Sequence, residues 1–366
     1  MDNELIFQIA LSKIPHIGDV HAKTLVTIFN SASEIFKIPK RQLEKIEGIG
    51  TVRANSIKNF NNFHFCEKEV KFIEKNNIQP IFINSEKYPK KLLHSADCPV
   101  LLFFKGTADL NKSKIISVVG TRNNSDYGKF VCQKLIRELK EYNIIVVSGL
   151  AYGIDTIAHQ TSIQNNIPTI AVLAHGLDKI YPVSNTNLAK EIIEQGGLLT
   201  EFHSGHQPDK QNFPKRNRIT AGICDALIVI ESGKKGGSLI TAEIANSYNK
   251  DIFAVPGRIG DLKSEGCNLL VHSHKASIVQ SSADIIEQMG WSNIPITRKN
   301  KQRSLFIELN NEENKIYTII SENNPISLDE IMHKSMCSNS AIATALLHLE
   351  INNLIVALPG KLYKSI

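Results

Sequence analysis

No CxxC pair occurs among the six cysteines of this 366-residue chain, which are scattered at positions 66, 98, 132, 224, 267 and 337. That spacing offers neither a disulfide framework nor a zinc site, and the cysteines read as reduced, mostly buried thiols. No stretch approaches 18 apolar residues, so no membrane span is expected. The start, MDNELIFQIALSKIP, lacks the basic head and apolar run of a secretory signal. Together these absences predict a cytoplasmic protein. The Walker A pattern GxxxxGK[ST] is missing, and no GxGxxG opens the first strand-to-helix turn. ATP and NAD therefore find no specific support, and no cofactor is expected. No Ser-His-Asp set or paired carboxylates stand out as catalytic machinery. Charge of one sign is not in large excess: 42 Lys+Arg against 36 Asp+Glu leave a net +6. This mild basicity is compatible with a nucleic-acid partner but does not establish one.

Three zones are present. Residues 1–80 read as helices with short turns, in a helix-hairpin-helix or SAM-like domain. Residues 81–290 alternate strand and helix. Residues 291–304 are polar and basic with a proline, and read as a linker. Residues 305–366 read as three helices and a strand pair, the pattern of a winged helix. In the middle zone KIISVVG, NIIVVSG, TIAVLAHG, GLLTEF, ALIVIESG and DIFAVPG are short β-rich runs, mostly ending at glycine. Continuous apolar strands alternating with helices predict an α/β fold: a Rossmann-like, doubly wound, mostly parallel sheet covered on both faces. PIFI and LLFFK would add edge strands. In such a sheet the loops after the strands share one edge. The segments 120–128, 148–155, 174–178 and 231–238 should therefore converge on one glycine-rich, partly basic cleft.

Within that cleft, Gly120 and Thr121 end a strand with Arg122 beside them. Glycine permits close backbone approach, backbone N–H groups can face a phosphate, and arginine can grip it with two bonds. A tight turn carrying a surface arginine is the alternative. In SGKKGGSLITAE, Lys234 and Lys235 precede Gly236 and Gly237, and Ser238 is the expected N-cap of the next helix, which makes a second anion nest. In KQNFPKRNR, Lys210, Lys215, Arg216 and Arg218 surround Phe213, with Asn217 between the arginines. Cations repel one another at the front of a helix, where the backbone favours anions, so the cluster calls for an anionic ligand. Phe213 can stack on an unpaired base, worth roughly 1–3 kcal/mol per base. Alternatively Phe213 is core and an arginine pairs with Glu201 or Glu231. Asp155 and His159, four apart in SGLAYGIDTIAH, read as a helix cap and a helix-face residue rather than an acid–base pair. His175 and Asp178 carry no stronger catalytic signal.

IPHIGDVHAKTL (14–25) and IEGIGTVRANSI (46–57) look like two helix-hairpin-helix units, in which glycines let backbone N–H groups meet a phosphate without reading sequence. The second, with Gly48 and Gly50, has the fuller pattern. In the last zone Ser338–Asn352 would be the recognition helix. It has no Lys or Arg and carries Glu350. A groove-reading helix needs basic or amide side chains, so this domain reads as a protein-contact module. LIVALPGKLYKSI would form the wing, with Pro359-Gly360 at its turn.

VVGTRNNSDYG, SGLAYGIDTIAH, TIAVLAHGLDKIYP, FPKRNRITAG, GGSLITAEIA and FAVPG occur in one order in this chain. Together they closely resemble the DNA-processing protein A family, also called Smf, over essentially residues 1–366. The resemblance implies a single-stranded DNA-binding protein of natural transformation, not an enzyme. It implies that the protein shields incoming strands, helps load a RecA-type recombinase and forms a homodimer through the sheet domain. It places the family pocket on Gly120, Thr121, Arg122, Lys210, Phe213 and the KRNR segment. Two departures are visible. Ala151 and Tyr152 stand where the family commonly has glycine-arginine, so a cation is missing there. Lys234 and Lys235 add charge where many relatives have less.

Two rival readings are open. GGSLITAE also looks somewhat like the loop of nucleotide phosphoribohydrolases, with Glu243 acting near a ribose and Arg122 or Arg216 holding a phosphate; the third glycine of that loop is missing. A duplex-DNA regulator acting through the hairpins and winged helix is the other, against which the uncharged recognition helix argues.

Overall fold

A computed structural model describes residues 3–292, 309–352, 354–358 and 362–365. The chain divides into two compact units, Met1–Ser292 and Asn293–Ile366. From residue 293 the expected linker lies outside the described residues, as does the Pro359-Gly360 turn.

The first unit begins with six helices: α1 (Asn3–Leu11), α2 (Asp19–Phe29), α3 (Ala32–Lys37), α4 (Lys40–Leu43), α5 (Gly50–Lys58) and α6 (Phe63–Lys75). Apolar faces of α1, α3 and α6 meet around Phe7, Phe36, Phe60 and Phe63, whose rings lie 5.3–6.2 Å apart in tilted or edge-on pairs. Such geometries suit the aromatic quadrupole. The two hairpin turns are tied together by Arg53, which donates to the carbonyls of His16 (3.0 Å) and Gly48 (2.8 Å). Lys23 and Lys58 likewise spend their ammonium groups on backbone carbonyls, of Leu93 and Ser95 and of Phe36 respectively.

A nine-stranded sheet follows. Its chain order is β1 (Gln79–Phe82), α7 (Lys90–Leu93), β2 (Leu101–Gly106), β3 (Ile115–Val119), α8 (Asp126–Glu138), β4 (Ile145–Ser148), α9 (Ile154–Gln164), β5 (Thr169–Val172), α10 (Thr186–Gln195), β6 (Gly197–Thr200), α11 (Asn212–Ile223), β7 (Ala226–Val229), α12 (Gly237–Ser247), β8 (Asp251–Ala254), α13 (Glu265–His272), β9 (Ser277–Ile278) and α14 (Ser282–Gln288). The spatial order is β1-β2-β6-β5-β4-β3-β7-β8-β9. From β6 to β9 every pairing is parallel, while β1 pairs β2, and β2 pairs β6, antiparallel. PIFI supplies the edge, and LLFFK lies one strand inside it. Alternate side chains go to opposite faces. Ile116 and Val118 pack with Cys132 and Leu135 of α8 and Ala158 of α9, whereas Leu227 and Val229 pack with Ala242, Ala245 and Cys267 of α12 and α13. Both faces are covered, which explains why β3, β4, β5, β6 and β7 are buried throughout.

From β3 the chain winds outward through β4, β5 and β6, then returns to the other side of β3 to place β7, β8 and β9. The winding direction therefore reverses between β3 and β7. Loops leaving these neighbouring strands turn to opposite faces and leave a crevice at their carboxyl ends.

The helical region docks on the sheet through polar clamps. Arg218 bridges Asp19 (2.9 Å) and Glu201, Ser204 N–H donates to Glu69 (2.8 Å), and His203 bonds Ser12 (3.0 Å).

The second unit contains α15 (Asn311–Glu322), β10 (Ile326–Ser327), α16 (Leu328–Ser335), α17 (Asn339–Ile351), β11 (Ile355–Leu358) and β12 (Leu362–Ser365), with sheet order β10-β12-β11. Three helices and a small antiparallel sheet make the winged-helix arrangement that the sequence predicts. Reciprocal caps, Asn310 with Glu313 and Ser327 with Glu330, fix the starts of α15 and α16. Ile316, Ile320, Ile331, Ile342 and Leu349 fill its own core.

Candidate nucleic-acid interface

The crevice between β3 and β7 opens into a cleft of about 570 Å³. Gly120, Thr121 and Arg122 after β3 form one wall. Gly233 and Gly236–Ser238, after β7 and at the start of α12, form another. Lys210, Phe213, Arg216 and Asn217 come from α11 and the segment before it. Thr121 N–H donates to the Glu231 carbonyl (2.8 Å), which joins the two loops. Gly153, at φ +75°, lies under the first wall, and a side chain there would collide with the backbone of Thr121 and Arg122. Glycine is required at this point both for its dihedral and for the close approach.

Helix α11 starts earlier than the sequence suggests. It begins at Asn212, and Pro214 occupies its third position. A proline is tolerated there because that N–H has no intrahelical partner anyway. The cations therefore ride on the helix instead of standing ahead of it. Residues two apart on a helix face different sides, and this divides the two arginines.

Arg216 turns toward the sheet. It is 5% exposed, and its Nη1 donates to the carbonyls of Gly149 and Val172, the latter at 2.6 Å. Its Nε donates to the Asn217 amide oxygen at 3.1 Å. Burial lowers its pKa, with nearby Asp155 acting in the opposite direction; an arginine nevertheless stays charged. A cation thus lies in the floor of the cleft.

Arg218 turns away, and here the structure corrects the expectation that it meets DNA. It is 7% exposed and clamped between Glu201 and Asp19. Burial opposes its charge, but the two carboxylates outweigh that and raise its pKa. Burial in turn pushes the Glu201 carboxyl up to about 7, against the pull of Arg218. Arg218 is a structural cation joining the helical region to α11.

The other expected residues sort by position. Gly120, Thr121, Arg122, Lys210, Phe213, Arg216, Asn217, Gly236, Gly237 and Ser238 come together in the cleft. Lys215, Lys234 and Lys235 are exposed but do not line it, and Lys234 lies 3.6 Å from Glu265. Ser238 is not the N-cap of α12. Gly236 takes that place, and the Ser238 hydroxyl donates to Ser232 (2.8 Å). Gly237 and Ser238, which begin α12, still line the cleft, and the first N–H groups of a helix have no intrahelical partner. Phe213 is partly buried: the Arg122 guanidinium carbon lies 5.0 Å from its ring centroid, Arg216 lies at 6.0 Å, and the Tyr181 ring at 6.3 Å. The ring holds Arg122 over the cleft by a cation–π contact.

Asp155, in the first turn of α9, accepts N–H bonds from Gly149 (3.2 Å) and Ala151 (3.4 Å), so it fixes the loop after β4. Its presence in the cleft lining was not legible from a cap-like motif. His159 is fully buried and bonds Thr169 (2.7 Å), away from the cleft. Glu243, the acid of the phosphoribohydrolase alternative, pairs with Lys275 (2.7 Å) and does not line the cleft. Among the described residues no cluster of His, Cys, Asp and Glu could hold a metal, and no helix is long and apolar enough to cross a membrane.

Comparison with known proteins bears on this site directly. A model of the DNA recombination-mediator protein A family matches residues 79–290, which span the whole sheet and every cleft residue. The chain belongs to that family. Models of a DprA winged-helix domain and of a helix-hairpin-helix motif match residues 306–361 and 6–66. The Smf protein of Synechocystis is 29% identical over an alignment covering 99% of both chains. DNA processing protein DprA of Streptococcus pneumoniae is 44% identical over 201 residues, 55% of this chain and 71% of that protein. Its solved structure superposes with a TM-score of 0.58 at 34% identity, covering 74% of this chain and 98% of that one. DNA processing protein A of Helicobacter pylori superposes with a TM-score of 0.53 at 29% identity, covering 58% and 95%.

Proposed function

We propose that this protein binds single-stranded DNA in the β3/β7 cleft, by phosphate contacts that are independent of base sequence. The observation that carries this is the convergence, on one crevice, of exposed Arg122 and Lys210, the open start of α12 and the buried Arg216 charge. Each favours an anion, and their spread along an open groove suits a chain of phosphates better than a single ion. Family membership supports the same reading, and the Helicobacter pylori relative is described by its single-stranded DNA binding mode. In this role the protein serves DNA processing in transformation: it covers incoming strands and passes them to a RecA-type recombinase. It acts as a homodimer in the cytoplasm and performs no chemical step. Asp155, held by backbone N–H groups, and the core position of His159 fit a site that grips and does not react.

The test is fluorescence anisotropy with labelled poly-dT and a matched duplex over a salt series. Single strands should bind more tightly than duplex, with each phosphate contact adding about −0.7 to the log–log salt slope. Arg122→Ala should weaken binding about tenfold and flatten the slope by about one contact, since it removes one charge-assisted grip. Equal or better duplex binding, or an Arg122→Ala protein that binds normally, would overturn the reading.

A further inference from the structure

Beside the phosphate cleft lies a second, smaller recess. The two share a wall made by Arg122, Gly149, Ala151 and Phe213. On its far side the recess is bounded by Tyr152 and Tyr181. At about 20 Å³ it holds little more than a water and cannot enclose a base. Its rim is another matter. Tyr152 is 50% exposed and Tyr181 43%, and neither phenol has a hydrogen bond among the described residues. Both rings stand at the surface beside a wall that carries Arg122. The backbone under Tyr181 is nonetheless fixed, since its N–H donates to the His175 ring (3.3 Å), and its ring touches Phe213.

The geometry points to Tyr152 and Tyr181 as a stacking platform for the bases of the strand whose phosphates occupy the neighbouring cleft; this rests on the single-strand reading above. The cleft is two-sided. Arg122, Lys210 and the start of α12 offer charge, while Tyr152 and Tyr181, across the recess from the shared wall, offer aromatic rings. A nucleotide is two-sided in the same way. With its phosphate held by Arg122, its base falls across Phe213 toward the tyrosines. Every base has a π-face, so such a platform adds grip without reading sequence. It also selects against duplex, whose bases are already stacked on one another. Tyr152 thus supplies stacking at a position with no charge to give.

The experiment compares a labelled dT strand with an abasic strand of equal length, using the full chain as wild type, Tyr152→Ala, Tyr181→Ala and the double variant, with Tyr→Phe at each position as the ring-retaining control. Each alanine should weaken dT binding by about tenfold and leave abasic-strand binding and the salt slope unchanged. Each phenylalanine should restore dT binding. Unchanged dT affinity in the double variant overturns the platform alone, as does an equal loss on dT and abasic strands. A wild-type protein that binds neither strand overturns the single-strand reading and the platform with it. Circular dichroism of each variant should match wild type, since both side chains lie at the surface.

Discussion

Replacing Arg218 by alanine tests the division of labour between the two arginines of α11. The side chain is buried, its Nη2 bridges Asp19 and Glu201, and those carboxylates come from different parts of the fold. Its removal leaves two carboxylates facing each other in a desolvated pocket. Breaking a buried pair by deleting one partner costs about 3–5 kcal/mol. At about 2 °C per kcal/mol for a unit this large, the melting temperature should drop by roughly 6–10 °C. The loss should depend on pH. Burial already holds Glu201 up at about 7 with the cation present, and without it both carboxyls rise further. A carboxyl whose folded pKa lies above its unfolded value adds stability that is complete below the unfolded pKa and lost as pH rises through the folded one. The variant's deficit should therefore be greatest above pH 7 and shrink toward pH 5. Single-strand affinity, measured well below the melting transition, should stay within about threefold of wild type. A normal melting temperature combined with lost binding would refute the reasoning and put Arg218 in the path of the strand.

Acid should weaken the fold through two core histidines. Thr169 donates to the Val146 carbonyl and Ser12 to the Ile9 carbonyl, so His159 and His203 must each donate to those hydroxyls and leave the other ring nitrogen buried without a partner. Burial lowers both pKa values to about 3, so the stability they confer is present above pH 6.5 and is lost as pH falls, at roughly 1.4 kcal/mol per pH unit each. Unfolding free energies of His203→Gln from urea titrations between pH 6.5 and 5 should fall less steeply than those of wild type by that amount, and parallel curves would count against it. Deleting residues 305–366 should leave single-strand affinity within a few-fold of the full chain, because the cleft belongs entirely to the first unit; collapse of binding would assign strand contacts to the winged helix instead.

Much of this architecture is legible in the sequence because a doubly covered parallel sheet needs strands that are apolar throughout. KIISVVG and ALIVIESG can hardly be anything else, and their terminal glycines mark the loops that form the cleft. What is not legible is what depends on strand order. The placement of β7 beside β3, which creates the crevice, is a tertiary outcome that local pattern does not encode. An arginine paired with Glu201 is among the sequence expectations, but which of Arg216 and Arg218 takes that role is hidden. Both sit in one KRNR run, and only the true start of α11 decides which faces the sheet ends and which faces Asp19, a residue 199 positions away. Pro214 obscured that start because it resembles a helix boundary from outside. In the hairpin region Arg53, Lys23 and Lys58 are all bonded to backbone carbonyls, a use of cations that the hairpin pattern does not encode.

The buried arginine explains why so few exposed cations line the cleft. Arg216 bonds to carbonyls and an amide oxygen, which are neutral acceptors. Asp155 is near enough to influence it, but that carboxylate is bonded to the N–H groups of Gly149 and Ala151. A guanidinium in this position is only partly compensated, and a charge held under a water-poor surface acts at longer range than one on a flexible lysine. In the proposed function it would bias the crevice toward anions without gripping any one phosphate. In that function Arg122 and Lys210, at the surface, would supply contacts that break and re-form as a strand shifts. A fixed field below and mobile contacts above hold a polyanion firmly without fixing its register, which is what a protein must do if it is to hand a strand on.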